Sequence, residues 1–115
     1  MKTRLMHVRA NVSDLKRAIE WYEQVLGFRV ETVWPPERPD YPHFEAEKGA
    51  LFAIMESDEV PSRGRFNFYT ADVDALWERL KDRVEVVEEL FDTPYGSRKF
   101  TIRDPDGNEL GFVQG

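Results

Sequence analysis

The amino-acid sequence predicts an α+β fold in which two tandem βαβββ modules form a curved, cupped mixed sheet with the helices on the outside. Two observations lead to this prediction. Segments of alternating apolar and polar residues precede segments with helical spacing, and this order of elements occurs twice along the chain. A length of 115 residues is enough for one domain with its own core. We therefore expect a single domain, with module one at about residues 1–58 and module two at about residues 59–115.

The first module opens with a strand over residues 5–12, in which apolar and polar side chains alternate. Asp14 can cap the helix that follows, and Gly27 ends its run of apolar residues at helical spacing. The proline-rich residues 35–42 are predicted to form a loop. Three further strands are predicted over residues 28–34, 44–47 and 51–56.

The second module repeats this order of elements. A strand over residues 66–70 precedes a helix that Asp72 can cap. Asp14 and Asp72 are 58 positions apart, and so are Gly49 and Gly107, which mark the turns before the last strand of each module. Two independent markers thus indicate one internal repeat. The remaining strands are predicted over residues 84–91, 99–103 and 109–113.

The repeat predicts a second sheet face, opposite the helices, to which the first and last strands of each module contribute alternate residues. This face mixes polar and apolar side chains, as small-molecule sites do, although a simply solvated outer face is the alternative. Trp34 is predicted to form a wall of the groove, or to cover the sheet edge. The predicted ligand-binding residues are His7, Arg9, Asn11, Trp34, Leu51, Ala53, Met55, Arg65, Asn67, Tyr69 and Glu109, and Val113 shares their face.

Composition limits the classes of function that the chain can have. The sequence contains no cysteine, so it has neither a thiolate metal site nor a thiol nucleophile. Its net charge of −6 opposes binding to nucleic acid. No segment has the roughly 18 consecutive apolar residues that a membrane span needs, and the N-terminus lacks a signal-peptide pattern. We therefore expect a cytoplasmic protein with a small-molecule ligand and neither membrane nor nucleic acid as a partner.

Three segments of the chain resemble a known family. They are HVRANVSDLKRAIEWYEQVLGFRVE at the start, ADVDALWERLK in the middle and FTIRDPDGNELGFVQ at the end. Together they resemble the vicinal oxygen chelate superfamily, which includes glyoxalase I, bleomycin-resistance proteins and extradiol dioxygenases. The resemblance covers nearly the whole chain and implies two βαβββ modules that form a cupped sheet.

Metal-dependent members of that superfamily hold one divalent ion with residues of the first and fourth strands of each module. The resemblance places His7, Leu51, Arg65 and Glu109 at those four positions. An arginine side chain has no acceptor atom and stays protonated, so Arg65 cannot bind a metal ion. His43 is expected to be a solvated loop side chain that adds no ligand. We therefore expect no metal ion between His7 and Glu109.

A buried carboxylate without a metal ion needs another cation. The repeat makes Arg65 the nearest candidate, and we expect it to reach Glu109 directly or through a ligand anion. The favoured function is a metal-free small-molecule-binding protein that resembles the bleomycin-resistance branch, with no cofactor.

Two alternatives involve chemistry, so whether the chain is an enzyme stays open. One is a metal-dependent lyase, isomerase or dioxygenase in which His7 and Glu109 bind a divalent ion. The other is a metal-free enzyme that uses His7, Arg65 and Glu109, with the imidazole as base. A homodimer is also expected, because about eight strands in a chain of this length leave strand edges exposed. The modules pair either within one chain or across two.

Overall fold

The computed structural model describes residues 1–34 and 41–115, with the backbone alone at residues 32–34 and 41. Within these residues the strands and helices follow the predicted β-α-β-β-β order twice. A π-helical segment, Tyr22–Leu26, continues the first helix. The elements are β1 (His7–Val12), α1 (Leu15–Trp21), β2 (Val30–Trp34), β3 (Tyr41–Phe44), β4 (Leu51–Glu56), β5 (Arg65–Thr70), α2 (Val73–Leu80), β6 (Glu85–Asp92), β7 (Arg98–Arg103) and β8 (Glu109–Gln114).

The chain divides into two compact units, Met1–Ser62 and Arg63–Gly115. Each unit contains one open, mixed, four-stranded sheet. The strand order is β1-β4-β3-β2 in the first unit and β5-β8-β7-β6 in the second. In each sheet the first and last strands of the module pair in parallel, and the other neighbours pair antiparallel. The predicted α+β fold of two βαβββ modules is confirmed.

The offset of 58 residues recurs in the strand register. His7 pairs with Leu51 in the first sheet, and Arg65 pairs with Glu109 at the equivalent place in the second. The helix caps obey the same offset. The Asp14 side chain accepts a hydrogen bond from the backbone N–H of Arg17 at 3.1 Å, and Asp72 accepts one from Ala75 at the same distance. The internal repeat predicted from the sequence is therefore confirmed by pairing and by capping.

The turn between β7 and β8 is held by one buried carboxylate. Asp104 accepts hydrogen bonds from the backbone N–H groups of Asp106 and Asn108, and from the Asn108 side-chain amide, each at 2.9 Å. Gly107 adopts a φ of +89°, close to the +93° of Gly49 at the matching turn of the first module. Positive φ favours glycine at both turns. This turn sets where β8 starts, and thereby places Glu109 beside Arg65.

Aromatic side chains form the core between each helix and its sheet. In the first unit Tyr22 is fully buried and contacts Phe44 and Phe52, with ring centroids 5.2 and 5.7 Å apart. In the second unit Phe100 contacts Trp77 of α2 and Phe112 of β8 at 5.2 and 5.4 Å. These contacts identify the face of each sheet that packs against its helix.

The prediction for the third strand is wrong in position. β3 spans Tyr41–Phe44, not residues 44–47, and it includes Pro42 of the predicted loop. Pairing on both sides explains the difference, since Pro42 lies opposite Val33 of β2 and His43 lies opposite Ala53 of β4. These pairs outweigh the local preference of proline for a loop. Residues 35–40 of the predicted loop lie outside the described residues.

The other strand ends differ by at most two residues from the predictions, as is usual when tertiary pairing sets the boundaries. The largest of these differences moves the start of β1 to His7 and of β2 to Val30. No helix among the described residues has the length and apolar character needed to cross a membrane.

Candidate functional site

Each sheet has one face turned away from its helix, and the alternation of side chains decides which residues lie on it. Phe52 is buried on the helix side of β4, so Leu51 and Ala53 point the other way. The module-one face consists of His7, Arg9, Asn11, His43, Leu51, Ala53 and Met55. The module-two face consists of Arg65, Asn67, Tyr69, Glu85, Glu88, Lys99, Thr101, Arg103, Glu109, Gly111 and Val113.

The predicted ligand-binding residues divide between these two faces, with His7 in the first unit and Arg65 and Glu109 in the second. Trp34 ends β2, and its side chain lies outside the described residues. The binding and catalytic roles assigned to these residues stay predictions.

On the module-two face, Arg65 binds two carboxylates. Its Nε and Nη2 donate to Oε1 of Glu109 at 3.1 and 2.9 Å, and its Nη1 donates to Oε1 of Glu88 at 2.9 Å. The predicted direct contact between Arg65 and Glu109 is confirmed. The side chains of Arg65 and Glu109 are 32% and 30% exposed, so solvent only partly screens the pair.

Glu88 lies on β6, which is separated from β5 by two strands, yet its carboxylate reaches Arg65. The Thr101 hydroxyl donates to the same carboxylate oxygen at 2.7 Å, and the Lys99 Nζ lies 4.0 Å away. The hydrogen bond from Thr101 holds the pKa of Glu88 below its ordinary value. Burial opposes this shift, and the charges of Arg65 and Lys99 add to it. Glu88 is therefore held as a carboxylate.

Charges alternate along the row of paired residues that contains Arg65. Glu109 on β8 lies between Arg65 on β5 and Arg103 on β7, whose Nη2 is 3.6 Å from Glu109 Oε2. The Nη1 of Arg103 then donates to Glu85 of β6 at 2.9 Å. A row of two cationic and two carboxylate side chains thus extends across all four strands of the sheet, and its net charge is zero.

The next row of the module-two face is polar but less charged. Gly111 lies between Asn67 and Thr101, and a Cβ at Gly111 would overlap the side-chain oxygen of Asn67. Gly111 therefore leaves room for the Asn67 amide to lie over β8. Beyond it on β5, the side chain of Tyr69 is 83% exposed. This row gives the face hydrogen-bonding groups beside an exposed aromatic ring.

The module-one face contains two neighbouring histidines. The rings of His7 and His43 have centroids 5.2 Å apart and are tilted by 41°. The prediction that His43 is a solvated loop side chain is wrong, because β3 pairs with β4 and turns His43, half-buried, onto the same face as His7. Burial lowers the pKa of His43 below its ordinary value, and repulsion from His7 and Arg9 acts in the same direction, whereas Glu31 opposes it.

Asn11 and Arg9 also lie on the module-one face, and they differ in the groups that they contact. The backbone N–H of Asn11 donates to the Ser62 hydroxyl at 2.7 Å, and its side-chain amide donates to the Glu59 carbonyl at 2.9 Å. Asn11 thus anchors the segment that ends the first unit. The guanidinium of Arg9 is exposed, and its Nη1 lies 3.4 Å from the Met55 sulfur.

The predicted site residues did not include His43 or the charged residues of β6 and β7 on the module-two face, which are Glu85, Glu88, Lys99 and Arg103. One signal could have found His43, since the offset of 58 places it on Thr101, in the middle of a predicted strand. The same strand prediction, with its alternation, places Lys99 and Arg103 on the face of Thr101. No sequence signal indicates that Glu88 reaches Arg65, because the order of strands in the sheet decides that contact.

The four residues that the resemblance places at the superfamily's metal-binding positions, His7, Leu51, Arg65 and Glu109, do not together fit a metal ion. Leu51 has no donor atom, and the Arg65 guanidinium has none either. The Glu109 carboxylate contacts two guanidinium groups, and each repels a cation. Across residues 1–34 and 41–115, as far as side chains are described, no three His, Asp or Glu residues are placed to hold a metal ion together.

Comparison with known proteins decides the family. Residues 4–112 match the family model of the Glyoxalase/Bleomycin resistance protein/Dioxygenase superfamily. The chain belongs to this superfamily. A crystal structure of another member, from Sphaerobacter thermophilus DSM 20745, has the same fold, with a TM-score of 0.79 and 22% identity over 100% of this chain and 99% of that one.

Two relatives are more similar to this chain in sequence than the protein of that crystal structure is. The probable trivalent organoarsenical cleaving enzyme of Bacillus subtilis (strain 168) is 36% identical over 117 residues, which cover 93% of this chain and 77% of the relative. The trivalent organoarsenical cleaving enzyme of Bacillus sp. (strain MD1) is 34% identical, over 92% of this chain and 70% of the relative. Within the superfamily, this chain is therefore similar to proteins named as enzymes.

Proposed function

We propose that this superfamily member binds a small organic molecule on the helix-free faces of its sheets, without a metal ion at the superfamily's metal-binding positions and without another cofactor. The observation that supports the proposal is the contact of Arg65 with Glu109, at 2.9 and 3.1 Å. A guanidinium ion at this place supplies positive charge to a partly buried carboxylate. Together with the Arg103 guanidinium, 3.6 Å from Glu109, it repels a metal cation from that carboxylate.

The composition of both faces supports a ligand. Leu51, Met55 and Val113 supply apolar surface, and each lies opposite a polar side chain of the neighbouring strand. Ala53 shares the face but is completely buried. Small-molecule sites combine an apolar lining with a few polar groups that orient the ligand. We infer that the apolar residues contact the ligand body and that the polar residues hold its functional groups.

A metal-free enzyme is the second candidate, and the names of the two relatives favour it. For this candidate the sequence suggests His7 of the module-one face as the base, and Arg65 and Glu109 of the module-two face as its charged groups. The substrate class in the names of these two relatives, a trivalent organoarsenical, does not suit the residues of this chain. Trivalent arsenic is a soft centre that prefers thiolate ligands, and the chain contains no cysteine. We therefore expect no cleavage of a trivalent methylarsenical, measured as release of inorganic arsenic, with or without added metal ions.

Nuclear magnetic resonance titration tests the proposed binding. The labelled protein, in the presence of EDTA, is titrated with phenol, benzylamine and phenylphosphonate, which share a ring and differ in charge. We expect at least one probe to shift, to saturation, the amide signals of strands that form the module-one or module-two face. Of the blocking variants Met55→Trp and Asn67→Trp, at least one should prevent the shifts. The control Gln24→Trp, on the π-helical segment, should not.

Two outcomes would overturn the proposal. One is that no probe binds to either face, or that probes bind only beside the helices. The other is near-stoichiometric zinc, nickel, manganese or iron in protein purified without added metal, if the metal is lost on His7→Ala. Elemental analysis measures this directly.

A further inference from the structure

The module-one face differs in charge from the module-two face at equivalent positions. Where the second module has Glu109 and Thr101, the first has Leu51 and His43. The residues that the register of β1, β3 and β4 places on the module-one face include two histidines and Arg9 but no carboxylate, and the nearby Glu31 of β2 is the carboxylate whose charge acts on His43. The equivalent row of the second module contains balanced ion pairs. The module-one face therefore carries an excess of positively charged and proton-donating groups.

The geometry brings these groups to one place. Arg9 and His43 lie on either side of Ala53, because β4 separates β1 from β3 and pairs with both in register. Ala53 is completely buried and carries only a methyl group, so it forms a shallow floor between two longer side chains. His7 lies two residues before Arg9 on the same face, and its ring is 5.2 Å from that of His43.

The chemistry of the three side chains matches an oxyanion. Arg9 provides a permanent positive charge with several N–H donors at the exposed side of the face. An imidazole has at least one N–H in either protonation state, so His7 and His43 each offer a hydrogen-bond donor. A guanidinium binds carboxylate or phosphonate oxygens through short, charge-assisted hydrogen bonds, to which such neighbouring donors can add.

We propose that Arg9, His7 and His43 form an oxyanion-binding subsite on the module-one face, which takes the carboxylate or phosphonate group of the ligand. This inference rests on the proposed function, because the subsite is the charged end of the same ligand site. It specifies an anionic ligand despite the acidic net charge of the chain. His43 becomes a specificity-determining residue of the site.

Phenylphosphonate and inorganic phosphate are the probes, and phenol and benzylamine are the uncharged and cationic controls. The chain has two histidines, both in the proposed subsite, so its imidazole carbon-13 spectrum reports on this place alone. We expect phenylphosphonate to shift both imidazole signals to saturation. Arg9→Met should weaken its binding at least tenfold, and Arg9→Lys should restore part of the affinity.

Arg17→Met is the matched control, since it removes the same charge from α1, on the opposite side of the sheet. It should leave phenylphosphonate affinity within twofold of the parent value. Equal weakening by Arg9→Met and Arg17→Met, or saturable binding that leaves both imidazole signals in place, would overturn the subsite. If benzylamine or phenol binds to the faces and phenylphosphonate does not, the inference fails while the proposed function stands. If no probe binds, both fail.

Discussion

At the scale of single residues, Arg65 decides the chemistry of the module-two face. A guanidinium stands where metal-dependent relatives are expected to have a ligand, and it binds Glu109 and Glu88 together. Without the Arg65 side chain, Glu109 still has the Arg103 guanidinium at 3.6 Å, and Glu88 still accepts the hydrogen bond from the Thr101 hydroxyl. The loss of one cation therefore affects two carboxylates.

We predict that Arg65→Met lowers the free energy of unfolding by about 1 kcal/mol, because the hydrogen bonds are charge-assisted but the pair is one-third exposed. Denaturant unfolding with and without EDTA measures the loss, and EDTA should change neither protein. Arg29→Met is the control, since Arg29 is 82% exposed and 3.9 Å from Glu45. It should cost less than about 0.5 kcal/mol. An equal loss in both variants would show that Arg65 contributes only surface charge.

The Glu88 carboxyl group allows a pH-dependent test of the interactions around Arg65. Its pKa is lower in the folded protein than its ordinary value of 4.5, chiefly through the Thr101 hydroxyl. A carboxyl with a depressed folded pKa contributes stability above the pKa of the unfolded chain, and this contribution disappears as the pH falls through the folded value. We predict that Thr101→Val costs roughly 1 kcal/mol at pH 7. This difference from the parent protein should shrink below about pH 4.5.

Thr93→Val is the control for this experiment. Its hydroxyl oxygen accepts a hydrogen bond from the backbone N–H of Ser97. The loss of stability in Thr93→Val should therefore not change between pH 7 and pH 4. Unfolding monitored at several pH values distinguishes the two variants. A pH-independent loss in Thr101→Val would show that the hydroxyl does not stabilise the Glu88 carboxylate.

At the scale of elements, the two helices begin in the same way. Asp14 and Asp72 each accept a backbone N–H from the third residue after them at 3.1 Å, with an extended backbone at Asp14. This geometry satisfies a donor that would otherwise be unpaired at the helix start. The repeat therefore preserves the cap although the helix sequences differ.

We predict that Asp14→Ala and Asp72→Ala each lower the free energy of unfolding by about 1 kcal/mol, as the loss of a helix cap does. Asp82→Ala is the matched control, because Asp82 is exposed after the end of α2. It should change the stability by less than about 0.5 kcal/mol. If the two cap variants differ by more than twofold in their cost, the caps are not equivalent.

At the scale of the whole molecule, each sheet taken by itself has a strand at either edge, as far as the structure describes the chain. β1 and β2 border the first sheet, and β5 and β6 border the second. Open edges present unpaired backbone groups that favour association with another chain. Tyr69 on β5 adds an aromatic ring that is 83% exposed. These features support the proposed homodimer.

We predict a homodimer at micromolar concentration, measured by sedimentation equilibrium. A single species of 13.5 kDa would contradict it. Tyr69→Lys should shift the equilibrium towards the monomer, because it places a charge beside the β5 edge. Tyr95→Lys is the control, since Tyr95 is 76% exposed but lies in the turn before β7. Association that both variants weaken equally would indicate that the β5 edge is not the contact.

The sequence by itself was enough to determine the α+β class, the two βαβββ modules and the offset of 58 residues, and to identify Arg65 as the group that reaches Glu109 directly or through a ligand anion. These features depend on local periodicity, on capping residues and on turn glycines, all of which act over a few neighbouring positions. The offset then transfers one module's register to the other. A repeat thus converts local signals into a prediction of which side chains are neighbours.

The tertiary structure alone decided the place of β3, the contact of His43 with His7 and the reach of Glu88 to Arg65. The local sequence around His43 favours a loop, and only pairing with β2 and β4 makes it a strand. Glu88 meets Arg65 across β8 and β7, which lie between their strands, and it is held there by the hydroxyl of Thr101, its partner in register on β7. Strand order and long-range register arise from the packing of the complete sheet, so no short segment of sequence contains them.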